Sequence, residues 1–285
     1  MANNQPLISI CLPTFNAKNF ICETIDGWLN QSYKKWELII QDDDSNDGTW
    51  EIITEKYKDY SNIIISQNIK NEGIGRNWNI AFEKAAGDFV VIFNADDLVA
   101  PDFLEKSLKY FSIYPEIDFV FHPYIKSDEL ENIETLQKNF RNYVGITQNL
   151  ININRDKDYR IHWNYCLAKK SSLLKLKNEY GLFYPTQVCD AMLWYEAYSK
   201  KLTGYYTGEI AGTYRMHPQN SSKIPLGEFE STLLWMIPKY SELFKKKMNT
   251  NFYSKYNFLI KYLYACYMNN ILPKRKAIKN LIKYV

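Results

Sequence analysis

Short apolar runs alternate with amphipathic stretches over the first hundred residues of the chain. The apolar runs predict buried strands, at 7–12, 36–41, 63–66 and 89–93. Between them apolar residues recur at spacings of three and four, which predicts helices, at 20–31, 50–57 and 73–86. Strands and helices that alternate in this way form a mostly parallel sheet with helices on its faces. We therefore expect an α/β fold of Rossmann-like character.

The pattern becomes irregular from about residue 115. Aromatic and polar residues are mixed through 120–165, which is typical of a pocket wall or a mobile segment. Further on, the spacing predicts two helices, at 172–180 and 190–200, and a strand with its exit at 205–216. We expect one main domain, residues 1–225, and a helical C-terminal extension, residues 226–285.

Charge is divided unevenly along the chain. The total is only +3, from 35 basic and 32 acidic residues, but residues 239–285 hold 11 basic residues and one acid. The tail therefore carries +10 and the rest of the chain −7. An acidic body argues against a nucleic-acid binder.

Composition narrows the class of protein further. With 46% hydrophobic and 16% aromatic residues the chain can build a core. The 5 cysteines are widely spaced and form no C-x-x-C pair, which favours a reducing cytoplasm over a disulfide framework or a zinc site. We expect neither a signal peptide nor a membrane-spanning helix, because no apolar stretch is long enough.

Carboxylates follow two of the predicted strands. Asp42, Asp43 and Asp44 come after the second strand, and Asp96 and Asp97 follow the run that ends at Phe93. The phosphate-binding glycine motifs common in this fold class are absent after the first strand. Since ligands bind outside the carboxyl ends of parallel strands, both clusters should face one crevice. A divalent cation, Mg²⁺ or Mn²⁺, is the simplest partner for such carboxylates, although an acidic turn with Asx-type capping explains 42–44 alone.

Motifs along residues 6–220 resemble, in order and spacing, those of family 2 glycosyltransferases with the GT-A fold. These are Pro13-Thr14-Phe15-Asn16, Asn30-Gln31-Ser32-Tyr33, the stretch 37–49, Asn71-Glu72-Gly73, Arg76-Asn77, Ala86-Gly87-Asp88 and Asn94-Ala95-Asp96-Asp97. The resemblance implies a catalytic domain at 1–225 that binds a nucleoside-diphosphate sugar. Asn94 departs from the family's frequent Asp, and Asp44 from a frequent Gly.

The resemblance also implies roles for individual residues. It implies a nucleotide-binding set, made of Pro13, Thr14, Asp42, Asp43, Arg76 and Asp96. It implies a metal-binding set, made of Asp96, Asp97 and His217, of which His217 lies in the closing segment Tyr214-Arg215-Met216-His217. Asp43 would read the base, and it suits uracil or thymine. A diphosphate contact and a structural histidine are the alternatives for His217.

A transferase of this type needs a base that takes the proton of the attacking hydroxyl. Asp190, in Val188-Cys189-Asp190-Ala191, is similar to the family's x-D element and would take that part. An N-cap without chemistry is the alternative. His162-Trp163-Asn164 would suit the acceptor site, because an aromatic face suits a sugar ring.

The resemblance implies an inverting transferase that moves a sugar to a hydroxyl of a bacterial surface glycan or lipid-linked acceptor. A sugar-1-phosphate nucleotidyltransferase and a non-catalytic sugar-nucleotide binding protein are the alternatives. The aromatic, lysine-rich segment 239–285 suits the cytoplasmic face of the inner membrane. Packing on the body, or on a second subunit in a homodimer, explains it equally well.

Overall fold

The architecture is taken from a computed structural model. It describes residues 5–147, 162–185, 189–218 and 220. The strands in this part of the chain are β1 (Ile8–Thr14), β2 (Trp36–Asp42), β3 (Ile63–Gln67), β4 (Phe89–Ile92), β5 (Leu98–Val99), β6 (Phe119–Phe121), β7 (Ile125–Lys126), β8 (Gly145–Thr147), β9 (Cys166–Lys169), β10 (Gly204–Tyr206) and β11 (Gly212–Tyr214). The α-helices are α1 (Ile21–Leu29), α2 (Thr49–Tyr57), α3 (Ile74–Glu83), α4 (Phe103–Ile113), α5 (Ile133–Phe140), α6 (Lys170–Leu174) and α7 (Cys189–Ser199).

Eight of these strands form a central sheet in the order β3-β2-β1-β4-β9-β6-β10-β8. The first four are parallel to one another, as the alternation of strands and helices predicts. β9 runs antiparallel between β4 and β6, and β10 returns parallel to β6. The predicted α/β fold with a mostly parallel sheet is confirmed.

Side chains of β1 alternate between two cores, one on each face of the sheet. Ile8, Ile10 and Leu12 pack in one core with residues of α1, α2 and α4. Cys11 points into the other core, where residues of α3 and α7 cover the sheet. Both faces are therefore buried, which explains why the strands read as continuous apolar runs.

A second, three-stranded sheet is the feature that assembles the functional edge. β11 lies between β5 and β7, antiparallel to β5 and parallel to β7. Because β5 follows the Asp96-Asp97 pair, this sheet brings the segment after Tyr214 beside those carboxylates. Residues more than a hundred positions apart meet through this pairing.

Two predicted elements differ from the structure. The helix predicted at 172–180 ends at Leu174. The side-chain oxygen of Asn79 accepts hydrogen bonds from the N–H groups of Leu182 and Phe183, at 2.8 Å each, and this contact with α3 holds the following chain in a turn.

The strand predicted at 205–216 is divided into β10 and β11. Gly208 separates them at a φ of 67°, a left-handed conformation that favours glycine. The predicted helical extension, 226–285, lies outside the described residues, as does the domain boundary at 225.

Candidate active site

A cavity of about 330 Å³ opens at the carboxyl ends of β1, β2 and β4. Five predicted site residues line it, namely Pro13, Thr14, Asp43, Asp96 and His217. Its position is the one at which parallel sheets bind ligands. Both acidic clusters thus contribute to one crevice, and each contributes a single carboxylate.

Asp43 lies on the floor of this cavity and is 2% exposed. One carboxylate oxygen accepts hydrogen bonds from the Asn68 side chain, at 2.6 Å, and from the Glu72 N–H, at 2.8 Å. The other accepts the Gly73 N–H at 3.0 Å. Gly73 precedes α3 at a φ of 84°, which explains the glycine at this position. A carboxylate can accept about four hydrogen bonds, so with the described residues as its partners Oδ2 retains one acceptor position.

Asp42 points away from the cavity. Its carboxylate accepts hydrogen bonds from the Ser45 N–H and hydroxyl, at 2.9 and 2.6 Å, and from Gln67 at 3.0 Å. These contacts fix the turn after β2. Asp44, in the same turn, is exposed at a φ of 62°, so backbone conformation explains the family's frequent glycine there.

Asp96 and His217 face each other at the cavity wall. Their Oδ2 and Nε2 atoms are 3.0 Å apart, with 25% and 12% of the two side chains exposed. The imidazole stacks on Phe20 with ring centroids 4.3 Å apart. His217 Nδ1 is buried and has no hydrogen-bond partner among the described residues. The ring is therefore held in place mainly by stacking and by the groups around Nε2.

Asp97 lies behind this pair and is fully buried. Its carboxylate accepts hydrogen bonds from the Arg215 N–H, at 2.9 Å, from the Asn164 side chain, and from Asn94 at 3.4 Å. Burial and the neighbouring Asp96 carboxylate raise the pKa of Asp97 well above its usual range. It connects the three segments that build the site and does not line the cavity.

Arg215 makes more structural contacts than its sequence motif indicates. Its guanidinium donates to the Asp96 carbonyl oxygen, to Glu23 Oε2 at 2.5 Å and to Thr24 Oγ1 at 2.9 Å. It also lies over the Phe20 ring, 5.2 Å from the centroid. The residue joins α1 to the acidic segment and positions His217, two residues further on.

Arg76 is away from the cavity wall. Its side chain is 64% exposed and pairs with Glu72 at 3.1 Å, one turn earlier in the chain. The neighbouring Gly75 has a packing reason, since a Cβ at this position would collide with the Tyr184 carbonyl. A turn at Gly73 and the close approach of the Tyr184 carbonyl to Gly75 therefore explain these glycines, and no phosphate-binding role is needed.

Asp190 lies in the first turn of α7. Its backbone carbonyl accepts a hydrogen bond from Trp163 Nε1 at 3.1 Å, and Trp163 stacks on Trp194 with centroids 3.9 Å apart. The start of the helix is therefore fixed against the segment that contains His162. A helix N-terminus favours the ionised form of a carboxylate.

The donor set at Asp96 and His217 fits a divalent cation. The carboxylate oxygen suits Mn²⁺ or Mg²⁺, and the imidazole nitrogen, a softer ligand, suits a transition metal such as Mn²⁺ better than Mg²⁺. Asp96 Oδ2 and His217 Nε2 are in hydrogen-bond contact at 3.0 Å, and these two atoms would hold the ion. Within the described ranges, no three His, Cys, Asp or Glu side chains cluster as a complete protein cage.

Comparison with known proteins decides the family. The model of glycosyl transferase family 2 matches residues 9–176, more than half of the chain. The chain belongs to glycosyl transferase family 2. Related sequences include the Escherichia coli UDP-Glc:alpha-D-GlcNAc-diphosphoundecaprenol beta-1,3-glucosyltransferase WfaP, 36% identical over 40% of this chain and 49% of that protein. The Bacillus subtilis teichuronic acid biosynthesis protein TuaG is 37% identical over 39% of this chain and 44% of its own length. The chain thus matches less than half the length of these relatives.

Solved structures of low sequence identity share the fold of this family 2 member. Staphylococcus aureus TarS, residues 1–349, in complex with UDP-GlcNAc, has a TM-score of 0.62 at 18% identity, covering 81% of this chain and 65% of that one. A mannosyltransferase from Pyrobaculum calidifontis, in complex with GDP-Man and Mn²⁺, has a TM-score of 0.59 at 17% identity, covering 99% and 74%. The predicted GT-A architecture is confirmed, and neither alternative function is favoured.

Proposed function

We propose that this protein is an inverting, metal-assisted glycosyltransferase that moves a sugar from a nucleoside-diphosphate sugar to a hydroxyl of a bacterial surface glycan or lipid-linked acceptor. The observation that carries the proposal is one cavity that holds two different carboxylate sites. Asp43 is held by neutral hydrogen-bond donors, and Asp96 faces an imidazole. The names of relatives and structural neighbours support the same class of donor and acceptor.

Asp43 is proposed to read the base. The acceptor position left on Oδ2 suits an imide N–H, which uracil and thymine carry and cytosine lacks. Pro13 and Thr14 would lie against the nucleoside, because they line the same cavity at the end of β1. A UDP-sugar is therefore the favoured donor. Asp42 and Arg76 are assigned to structure, since neither lines the cavity.

Asp96 and His217 are proposed to hold the divalent cation. When bound, Mn²⁺ or Mg²⁺ would neutralise charge on the leaving diphosphate. Asp96 supplies a hard carboxylate oxygen, and Phe20 keeps the His217 ring oriented by stacking. Asp97 would act indirectly, by fixing Arg215 and Asn164 around this wall.

Asp190 is proposed to accept the proton of the attacking hydroxyl. In an inverting reaction this hydroxyl attacks the anomeric carbon from the face opposite the diphosphate. The C–O bond to the diphosphate breaks as the new glycosidic bond forms, and the proton passes to the Asp190 carboxylate. Asp190 lies in the first turn of α7, at the end of the helix that favours a negative charge.

The proposal is tested with the full chain, a panel of nucleoside-diphosphate sugars and Mn²⁺. We expect transfer or slow hydrolysis from one donor and a thermal shift with its diphosphate. Asp190→Asn should lower transfer about 10³-fold with diphosphate binding unchanged. Asp102→Asn is the matched control, because Asp102 is also at the start of a helix, pairs with Lys106 and does not line the cavity. No transfer and no thermal shift with any diphosphate would contradict the function.

Membrane attachment through 239–285 is proposed from the sequence alone. Among the described residues no helix is long and apolar enough to cross a bilayer. Flotation with anionic liposomes should depend on 239–285 and weaken with salt. Equal flotation after their deletion would contradict attachment, and a change in oligomeric state instead would favour the homodimer.

A further inference from the structure

Three aromatic rings meet beside the proposed donor cavity. The centroids of Tyr124, His162 and Tyr214 lie 5.7 to 6.0 Å from one another. Tyr214 also lines the cavity. Through Tyr214, the group therefore adjoins the donor cavity.

The two nitrogens of His162 have different surroundings. Nδ1 accepts a hydrogen bond from the Asn164 N–H at 3.3 Å and so caps the turn at 163–165. An imidazole nitrogen that accepts carries no proton, so in the neutral ring the proton is on Nε2. Within the described ranges, Asn164 is the hydrogen-bond partner of this ring, and the one contact with a measured distance is on Nδ1.

Two proposed functional carboxylates lie within electrostatic reach of this ring. Burial lowers the pKa of His162 below its usual value, and the charges of Asp190 and Asp96 oppose that shift. The neutral form therefore predominates near neutral pH. Trp163, the next residue, binds the carbonyl of Asp190, which fixes the distance between His162 and the start of α7.

We infer that His162 is an acceptor-binding residue whose Nε2–H donates a hydrogen bond to a hydroxyl of the acceptor sugar, against the wall formed by Tyr124 and Tyr214. The inference rests on the proposed function, which it extends to the acceptor side. A sugar ring suits this place because it offers apolar C–H groups to aromatic faces and hydroxyl oxygens to a fixed donor. The His162 ring is next to the donor cavity through Tyr214, and next to the start of α7 through Trp163.

Two substitutions separate the two nitrogens of His162. Asn places an oxygen near the position of Nδ1, so His162→Asn keeps the cap and loses the Nε2 donor. Gln reaches further, so His162→Gln keeps a donor near Nε2 and loses the cap. The assay uses the full chain, the donor found above and octyl glycosides of glucose, galactose and N-acetylglucosamine as acceptors.

We expect His162→Asn to raise the KM for the octyl glycoside about tenfold at a wild-type melting temperature. His162→Gln should keep the KM closer to wild type and lower the melting temperature. Diphosphate binding should not change in either variant. An unchanged KM in His162→Asn, or an equal loss of donor binding, would overturn the inference. Failure of the wild-type protein to transfer to any acceptor would instead count against the proposed function.

A spectroscopic measurement tests the same inference without turnover. The protein contains three histidines, so ¹⁵N-labelled rings can be assigned with His162→Asn as reference. With UDP and Mg²⁺ present, His162 should show the Nε2–H tautomer, and its Nε2 signal should shift when an octyl glycoside is added. The Nδ1–H tautomer, or no shift with any of the three glycosides, would overturn the inference.

Discussion

The two acidic strand ends have the same sequence signal and different chemistry. At each strand end, one carboxylate is buried away from the cavity and its neighbour lines the cavity. Asp42 and Asp97 are the buried members, and Asp43 and Asp96 line the cavity. Asp43 meets two backbone N–H groups and an amide, which are neutral donors in fixed positions. Asp96 meets the ring of His217 and remains partly exposed. What a carboxylate can bind is thus decided by the segments that face it.

The first prediction concerns Asp96, the carboxylate of the second pair that lines the cavity. Asp96→Asn should lower transfer about 10³-fold, because several kcal/mol of stabilisation of the leaving diphosphate would be lost. His217→Ala should show a similar loss, and the double variant little more, since both residues would hold one cation. The reference is Asp59→Asn, an exposed carboxylate outside the site. Full additivity of the two losses would contradict a shared cation.

A second prediction uses pH to extend the comparison to the histidines. His217 faces the cavity, whereas His122 is buried between the hydroxyls of Ser107 and Thr207, at 2.9 Å each. Burial lowers the pKa of His122 to about 4. Between pH 6.5 and 4 the unfolded chain binds a proton that the folded chain does not.

The free energy of unfolding should therefore fall by about 3 kcal/mol from this group as pH decreases through that window. Urea unfolding at a series of pH values measures it. His122→Gln should remove this component of the slope. An identical slope in the variant would show that His122 is not kept neutral by the fold.

The third prediction concerns the structural members of both pairs. Asp97→Ala leaves the Arg215 N–H and the Asn164 amide without their acceptor, and Asp42→Ala does the same to Ser45 and Gln67. Each should lower the free energy of unfolding by about 2 kcal/mol. Urea unfolding at pH 7, with Asp59→Ala as a control within about 0.5 kcal/mol, provides the test. A stability loss no larger than that of the control would contradict a structural role for Asp42 and Asp97.

The smallest expected effect concerns Asp44. Its φ of 62° costs an aspartate less than most residues, so Asp44→Gly should stabilise the protein by about 0.5 kcal/mol without altering transfer. Lys201 has a φ of 54° and no side chain suited to that conformation. Lys201→Gly should therefore stabilise more, by about 1 kcal/mol. Thermal unfolding of the two variants measures the backbone strain. A role of Asp44 in the base pocket would appear instead as changed nucleotide binding.

The apolar runs were sufficient to predict the first four strands and the crevice at their ends. They could not separate Asp42 from Asp43, because both faces of β2 are buried and alternation gives no polar face. The difference arises from Gln67 and Asn68 at the end of β3 and from the N–H of Gly73.

Long-range pairings were also beyond the sequence pattern. His217 meets Asp96 across 121 positions because β11 pairs with β5, and both are strands of only two or three residues. Arg215 belongs to the closing segment that resembles the family, but nothing in the local sequence indicates its contacts with Phe20 and Thr24. The resemblance to the family predicted which residues form the site, and the three-stranded sheet explains how they come together.

The central claim is that Asp43 binds the base of the donor, whereas Asp96 acts on its diphosphate through the cation. Calorimetric titration with uridine and with UDP, each in Mn²⁺ and in EDTA, tests it most directly. Asp96→Asn should bind uridine as the wild type does and lose the Mn²⁺-dependent gain for UDP. Asp43→Asn should bind uridine about tenfold more weakly and keep that gain. If Asp96→Asn weakens uridine as much as UDP, or Asp43→Asn removes the effect of Mn²⁺, the division is contradicted.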